Sequence, residues 1–155
     1  GQVELASREG TRVVELLQFA KGPRRTDLAP GEVITRILIP KHKWSRQTFI
    51  KIGRRNSLAI SVVNGVVALD VDGKGVVQDV RLLLGAVAPT PLRLTEAESM
   101  VRGKPLAQLD LDAIAAKVQN SVSPISDVRA SAEYRAYVAG TVVETELEKA
   151  AEELA

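Results

Sequence analysis

The chain has 155 residues, with 21 Lys and Arg against 19 Asp and Glu and no cysteine. A net charge of +2 does not by itself call for nucleic acid. The missing thiols exclude disulfides, thiolate catalysis, iron–sulfur ligation and cysteine zinc sites within the chain. Aromatic residues are 3% of a chain that is 45% hydrophobic, so Val, Leu, Ile and Ala must build the core. No apolar run approaches the ~20 residues that a membrane-spanning helix needs, and no signal peptide is visible, so a cytoplasmic location is expected. GQVELAS at the start lacks an initiator methionine and reads as part of a longer protein, with Gly1 a cloning remnant.

In chain order, Val3–Ala6 and Thr11–Leu16 read as short strands around the turn Arg8-Glu9-Gly10. Lys21–Pro30 reads as a loop broken by Gly22, Pro23 and Pro30. In the strand expected over Glu32–Ile39, Val33, Thr35, Ile37 and Ile39 fall on one side and Pro40 ends it. Lys41–Gln47 is a polar connection, and Thr48–Arg54 another strand. Leu58–Val71 is a long Val- and Ile-rich run broken by Asp72-Gly73-Lys74-Gly75, a hairpin signal. The return strand, Val76–Ala88, places Val76, Val80, Leu82, Leu84 and Ala86 on one face, and Pro89 and Pro91 stop the sheet. A helix is the alternative for 58–71, disfavoured by its β-branched residues and by the turn.

The remainder is helical. Thr95-Glu96-Ala97-Glu98 forms a capping box for a helix near 94–102, ended by Gly103 and Pro105. Asp110 or Asp112 caps a second helix near 110–120, with Leu111, Ile114, Ala115 and Val118 on its stripe. A third begins at about Ser131, with Tyr134, Tyr137, Val138, Thr141 and Val142 as its buried face and a charged tail, Glu144–Leu154, that frays. Strands followed by helices give an α+β fold, with an antiparallel sheet and a three-helix bundle.

Most familiar chemistry is missing. His42 is the sole histidine and sits in the basic loop KHKWSR (41–46) without a neighbouring carboxylate, so it reads as a solvated residue rather than a catalytic base. Asp110 and Asp112 at a helix start read as caps rather than paired acids, and Asp70 and Asp72 as hairpin residues. There is no P-loop and no GxGxxG. Trp44 among basic residues is a weak signal for RNA stacking.

Three stretches carry a resemblance. GEVITRILIP (31–40) resembles an "eEil..I.iP" strand, and FIKIGRRNSLAIS (49–61) a "y.K...R...DiA.v" segment. LGAVAPTPLRLTEAE (84–98) with ISDVRASAEYRAYVAG (125–140) resembles the pair "lGgvaptP.ra..aE" and "sD.RasaeYR". In this order they resemble the second half of the FAD-binding (medium) subunit of the xanthine dehydrogenase and carbon monoxide dehydrogenase family, the molybdenum hydroxylases. The resemblance implies that residues 1–45 are the end of an FAD-binding subdomain and 46–155 the flavoprotein C-terminal domain. The family's glycine-rich "aGGT" and "tiGGN" segments, which cradle the FAD pyrophosphate, have no counterpart here, and Ser57 and Leu58 stand where the family has an Asp.

The resemblance places Lys51 at the pyrimidine side of the isoalloxazine, Ile34 as an apolar neighbour of the flavin, and Arg54 and Arg55 in a basic cluster beside the pocket. It implies an oxidoreductase subunit that passes electrons from iron–sulfur clusters via FAD to NAD or another acceptor. Its partners would be a large molybdopterin subunit and a small 2Fe-2S subunit, with no nucleic acid and no membrane span. A homo-oligomer of such a heterotrimer is compatible with this. Alone, the chain is expected to be inactive. Two other readings stay open: a docking module with no cofactor, in which Lys51 is an edge-strand lysine that discourages aggregation, and a small basic RNA-binding domain.

Overall fold

The computed structural model describes residues 1–55 and 58–154. The chain divides into two compact units, Gly1–His42 and Lys43–Ala155.

The first unit is built on a three-stranded antiparallel sheet in the order β2-β1-β5, from β1 (Gln2–Ser7), β2 (Gly10–Glu15) and β5 (Val33–Leu38). Between them lie one helical turn, α1 (Leu16–Phe19), and a small hairpin of β3 (Ala20–Gly22) and β4 (Arg25–Thr26), where the sequence suggested only a loop. The alternation expected along β5 is broken by a bulge. Leu5 pairs with Ile34 and Val3 with Ile37, so Ile34 joins Ile37 on the side of the two buried β1 residues, instead of opposing it. Arg12 ties the turns together: its guanidinium donates to Glu32 Oε1 at 2.7 Å and to Asp27 Oδ2 at 2.8 Å. Arg12, then the Ala29 N–H, hold the Glu32 carboxyl at about 2.

The second unit carries a four-stranded antiparallel sheet, β6 (Arg46–Gly53), β7 (Ser61–Val71), β8 (Val77–Gly85) and β9 (Leu92–Arg93), in chain order. The β7–β8 turn is closed by Asp72, whose Oδ1 accepts from the Lys74 and Val76 amides, and by Gly75 at φ +76°. Three helices follow: α2 (Thr95–Val101), α3 (Leu111–Ser121) and α4 (Ala132–Leu154), with a 3₁₀ turn at Leu106–Gln108. Val63, Val67, Leu69, Val80, Leu82 and Leu84 pack beneath Ile114, Val118, Val138, Val143 and Leu147 in one core. The fold is α+β, with helices gathered on one face of an antiparallel sheet.

Several local expectations change. Strand β7 starts at Ser61, because Leu58 adopts φ +49°, which no strand residue takes. Pro89 and Pro91 do not end the sheet, since Leu92 and Arg93 return as the edge strand β9. The capping box at Thr95 does not form. Leu94 is the N-cap without a side-chain bond, and Glu98 instead turns into the core. Its Oε1 accepts from the Leu82 amide at 3.0 Å, and both oxygens face the Arg93 guanidinium. Asp110 does cap α3, accepting from the Ala113 amide at 3.0 Å.

Helix α4 differs most from its sequence reading. Tyr134 and Tyr137 are 51% and 59% exposed. The buried stripe runs instead through Arg135, Val138, Ala139, Val142, Val143, Glu146, Leu147 and Ala150. The charged tail does not fray. Arg46, at the start of β6, donates to Glu146 Oε2 at 2.9 Å and Glu153 Oε2 at 2.8 Å, clamping the last two turns. Burial pushes the Glu146 carboxyl up, but Lys149 and Arg46 outweigh it and hold it below its usual range.

Candidate functional site

Strand β6 alternates. Thr48, Ile50 and Ile52 turn toward the helices, and Gln47, Phe49 and Lys51 turn to the opposite, open face. Cross-strand partners share a face, so the register builds rungs across the open side. One rung is Lys51–Asn64–Gly85 and the next is Phe49–Val66–Leu83–Arg93. Phe49 is 67% exposed. Lys51 has no carboxylate partner and no hydrogen bond among the described residues, so a cation stands unneutralised beside the apolar Phe49, Val66 and Leu83.

At the end of the same strand, Arg54 and Arg55 line a pocket of about 400 Å³ with Leu58, Ala59, Ile60 and Arg129. Arg54 donates to the Val128 carbonyl at 3.1 Å and Arg55 to the Leu58 carbonyl at 2.8 Å, and neither forms an ion pair among the described residues. Of Ser57 and Leu58, which stand where the family has an Asp, Ser57 lies outside the described residues. Arg129 was not singled out by sequence. The signal was present in SDVRASAEYR, where the whole motif proves to be one network. Asp127 accepts from the Arg129 amide and guanidinium and from Arg135 Nη2 at 2.8 Å. Buried Arg135 also donates to the Val62 carbonyl at 2.6 Å and the Ala86 carbonyl at 3.3 Å, linking the loop to the sheet.

Ile34 lies in the first unit, on β5, and is partly exposed; Lys51, Arg54 and Arg55 all belong to the second. His42 is exposed in the segment before β6. Trp44 lies under the Arg81 guanidinium, 5.8 Å from the ring centroid. Among the described residues no cluster of His, Asp or Glu could hold a metal ion, and no helix is long and apolar enough to cross a membrane.

Residues 48–150 match the family described as the CO dehydrogenase flavoprotein C-terminal domain, and residues 1–42 match the FAD binding domain in molybdopterin dehydrogenase. The chain is 37% identical to the glyceraldehyde dehydrogenase medium chain of Sulfolobus acidocaldarius, over 84% of this chain and 46% of that one. It is 32% identical to the carbon monoxide dehydrogenase medium chain of Afipia carboxidovorans, over 95% and 51%. A solved carbon monoxide dehydrogenase from Hydrogenophaga pseudoflava superposes with a TM-score of 0.88 at 27% identity, covering 99% of this chain and 53% of that one. The chain thus spans about half the length of the curated relatives it matches.

Proposed function

Because the chain belongs to the CO dehydrogenase flavoprotein family, we propose that it forms the isoalloxazine side of an FAD subunit in a molybdenum hydroxylase working in the cytoplasm. In such a complex electrons from iron–sulfur clusters pass via FAD to NAD or another acceptor. The relatives named as medium chains support this reading.

The single observation that carries it is Lys51 on the open face of the sheet, without a carboxylate partner among the described residues and flanked by the apolar row of Phe49, Val66 and Leu83. A flavin ring has an apolar benzenoid end and a polar pyrimidine end, and this face offers a surface for each. When bound, the flavin supplies two-electron storage between one-electron centres and the acceptor. Reduction builds negative charge near N1 and the C2 carbonyl, and a fixed cation there stabilises the reduced ring more than the oxidised one. Ile34 supplies an apolar contact, and Arg54 and Arg55 a basic wall beside the pocket. The chain contains no Gly-Gly pair, so the glycine-rich pyrophosphate cradle is not among its residues.

Residues 1–45 would complete the FAD-binding subdomain and 46–155 the C-terminal domain. The large molybdopterin subunit and the small 2Fe-2S subunit would cover exposed apolar residues such as Leu58, Ile125 and Val128. The test is a redox titration of the full-length subunit loaded with FAD, as wild type and Lys51→Met. A partly screened charge contact is worth on the order of 1–3 kcal/mol, so the variant's flavin becomes harder to reduce while FAD stays bound. Superimposable potentials would remove Lys51 from the site and leave it as an edge-strand lysine. A full-length subunit that carries no flavin would turn the reading to a docking module.

A further inference from the structure

We propose that Asn64 is a second polar contact for the flavin's pyrimidine edge, set beside Lys51 in the space that Gly85 leaves open. This rests on the flavin role proposed for Lys51. The three residues form one rung on the open face, with Asn64 on the central strand between the lysine and the glycine.

Asparagine is a poor strand residue, and in a central strand it normally answers for itself by hydrogen bonding to nearby backbone. Here the carboxamide makes no hydrogen bond among the described residues, and it is half-buried with access to solvent. The sheet leaves room for it at one place. A β-carbon on Gly85 would lie 2.5 Å from Asn64 Oδ1, 3.2 Å from its Cγ and 3.3 Å from its Nδ2. The amide therefore lies against the bare α-carbon of Gly85, and any side chain at 85 would displace it. An unanswered amide given room by a glycine is a local conflict within the sheet, of the kind that marks a site serving something outside it.

The chemistry of the amide suits the ligand. A carboxamide presents one acceptor and two donors. The pyrimidine edge of isoalloxazine presents the N3–H donor between the C2 and C4 carbonyl acceptors, the complementary pattern. Lys51 supplies charge without direction, since an ammonium rotates freely, whereas the amide fixes which edge of the ring lies beside it. A donor from Asn64 to a carbonyl that gains charge on reduction favours the reduced ring, in the same sense as Lys51.

The experiment is a redox titration of the full-length, FAD-loaded subunit carrying Asn64→Leu, Asn64→Asp or Gly85→Ala, alongside Lys51→Met. In Asn64→Leu the preference for reduced over oxidised flavin falls about three- to tenfold, the upper end being ~30 mV for a two-electron couple. Asn64→Asp, which loses the donors and adds a negative charge, falls further. Gly85→Ala follows Asn64→Leu with the amide still present, which a purely structural role for Asn64 does not predict. Should Gly85→Ala fail to fold, the two Asn64 variants decide alone. A shift in Lys51→Met with unchanged potentials in both Asn64 variants overturns the proposal and leaves the lysine's role intact. No shift in any variant overturns both.

Discussion

Arg135 Nη2 donates to Asp127 Oδ1 at 2.8 Å across the junction between the loop and helix α4, and the same guanidinium reaches the Val62 and Ala86 carbonyls of the sheet. One buried arginine thus fixes the start of β7, the segment after β8 and the loop that carries Arg129.

Arg135→Met fills much of the volume but leaves two carbonyls without their charged donor and Asp127 with Arg129 alone as charged donor. Hydrogen bonds to charged groups are worth about 1.5–3 kcal/mol, so the denaturation midpoint should fall by a corresponding amount with an unchanged slope. A midpoint equal to wild type would show that water replaces the guanidinium at no cost.

The same network sets an acid limit. The Arg129 amide lowers the Asp127 carboxyl most; burial opposes this, and the Arg135 and Arg129 guanidiniums add to the lowering, so the group lies well below its ordinary 3.8. A depressed folded value stabilises the fold fully above the unfolded value, and that stability is lost as pH falls through the folded one. Between pH 7 and about 5 the thermal midpoint should therefore be insensitive to Asp127, and below about 4 it should drop. Asp127→Asn should start lower at pH 7 and lose less on acidification; parallel curves for the two proteins would contradict this.

Arg46→Ala removes the clamp on the last two turns of α4. Its side chain and that of Glu146 are 12% and 9% exposed, so this pair is more than a solvated contact, whereas the 58% exposed Glu153 adds little; a loss of about 1–2 kcal/mol is expected. Hydrogen exchange should rise in 146–154 and stay unchanged in β7. Uniform exchange across the second unit would mean that the clamp holds the whole core instead.

Gly140→Ala tests the α3–α4 contact. An added β-carbon would lie 2.7 Å from the Gln119 side chain and 2.8 Å from the Ala115 carbonyl. Gln119 can swing away, but the backbone carbonyl cannot. Overpacking of about 1–3 kcal/mol should exceed the gain in helix propensity, and the thermal midpoint should fall. A rise would show that the helices separate freely.

On the proposed reading, the 155-residue chain by itself should bind FAD weakly or not at all, because it offers ring-side contacts alone and has no glycine-rich pyrophosphate cradle among its residues. Gel filtration after incubation with FAD should leave the 450 nm absorbance with the free cofactor. Stoichiometric yellow protein would show that the second unit and residues 1–42 suffice.

The β-branched run before Asp72-Gly73-Lys74-Gly75 by itself determined the central hairpin, because alternation and turn chemistry are local properties. The Asp110/Asp112 pair likewise marked the start of α3, with the choice of Asp110 as cap left to the structure, and the order of motifs pointed to the family. Lys51 was legible as a lysine interrupting an apolar strand, and its exposure follows from period two. What surrounds it was not legible. That Asn64 and Gly85 share its rung depends on the register of three strands, a non-local quantity. Only the tertiary structure decided the fate of Glu98, whose capping role lost to a buried bond with Leu82 and Arg93. It also decided which stripe of α4 is buried. Tyr134 and Tyr137 are large and apolar enough to be core, but Arg135 bonds to the sheet from the neighbouring stripe and turns the helix so that both rings face outward. Bonding to two carbonyls and a carboxylate outweighs the burial of two rings, because the guanidinium would otherwise sit in the protein interior without its partners.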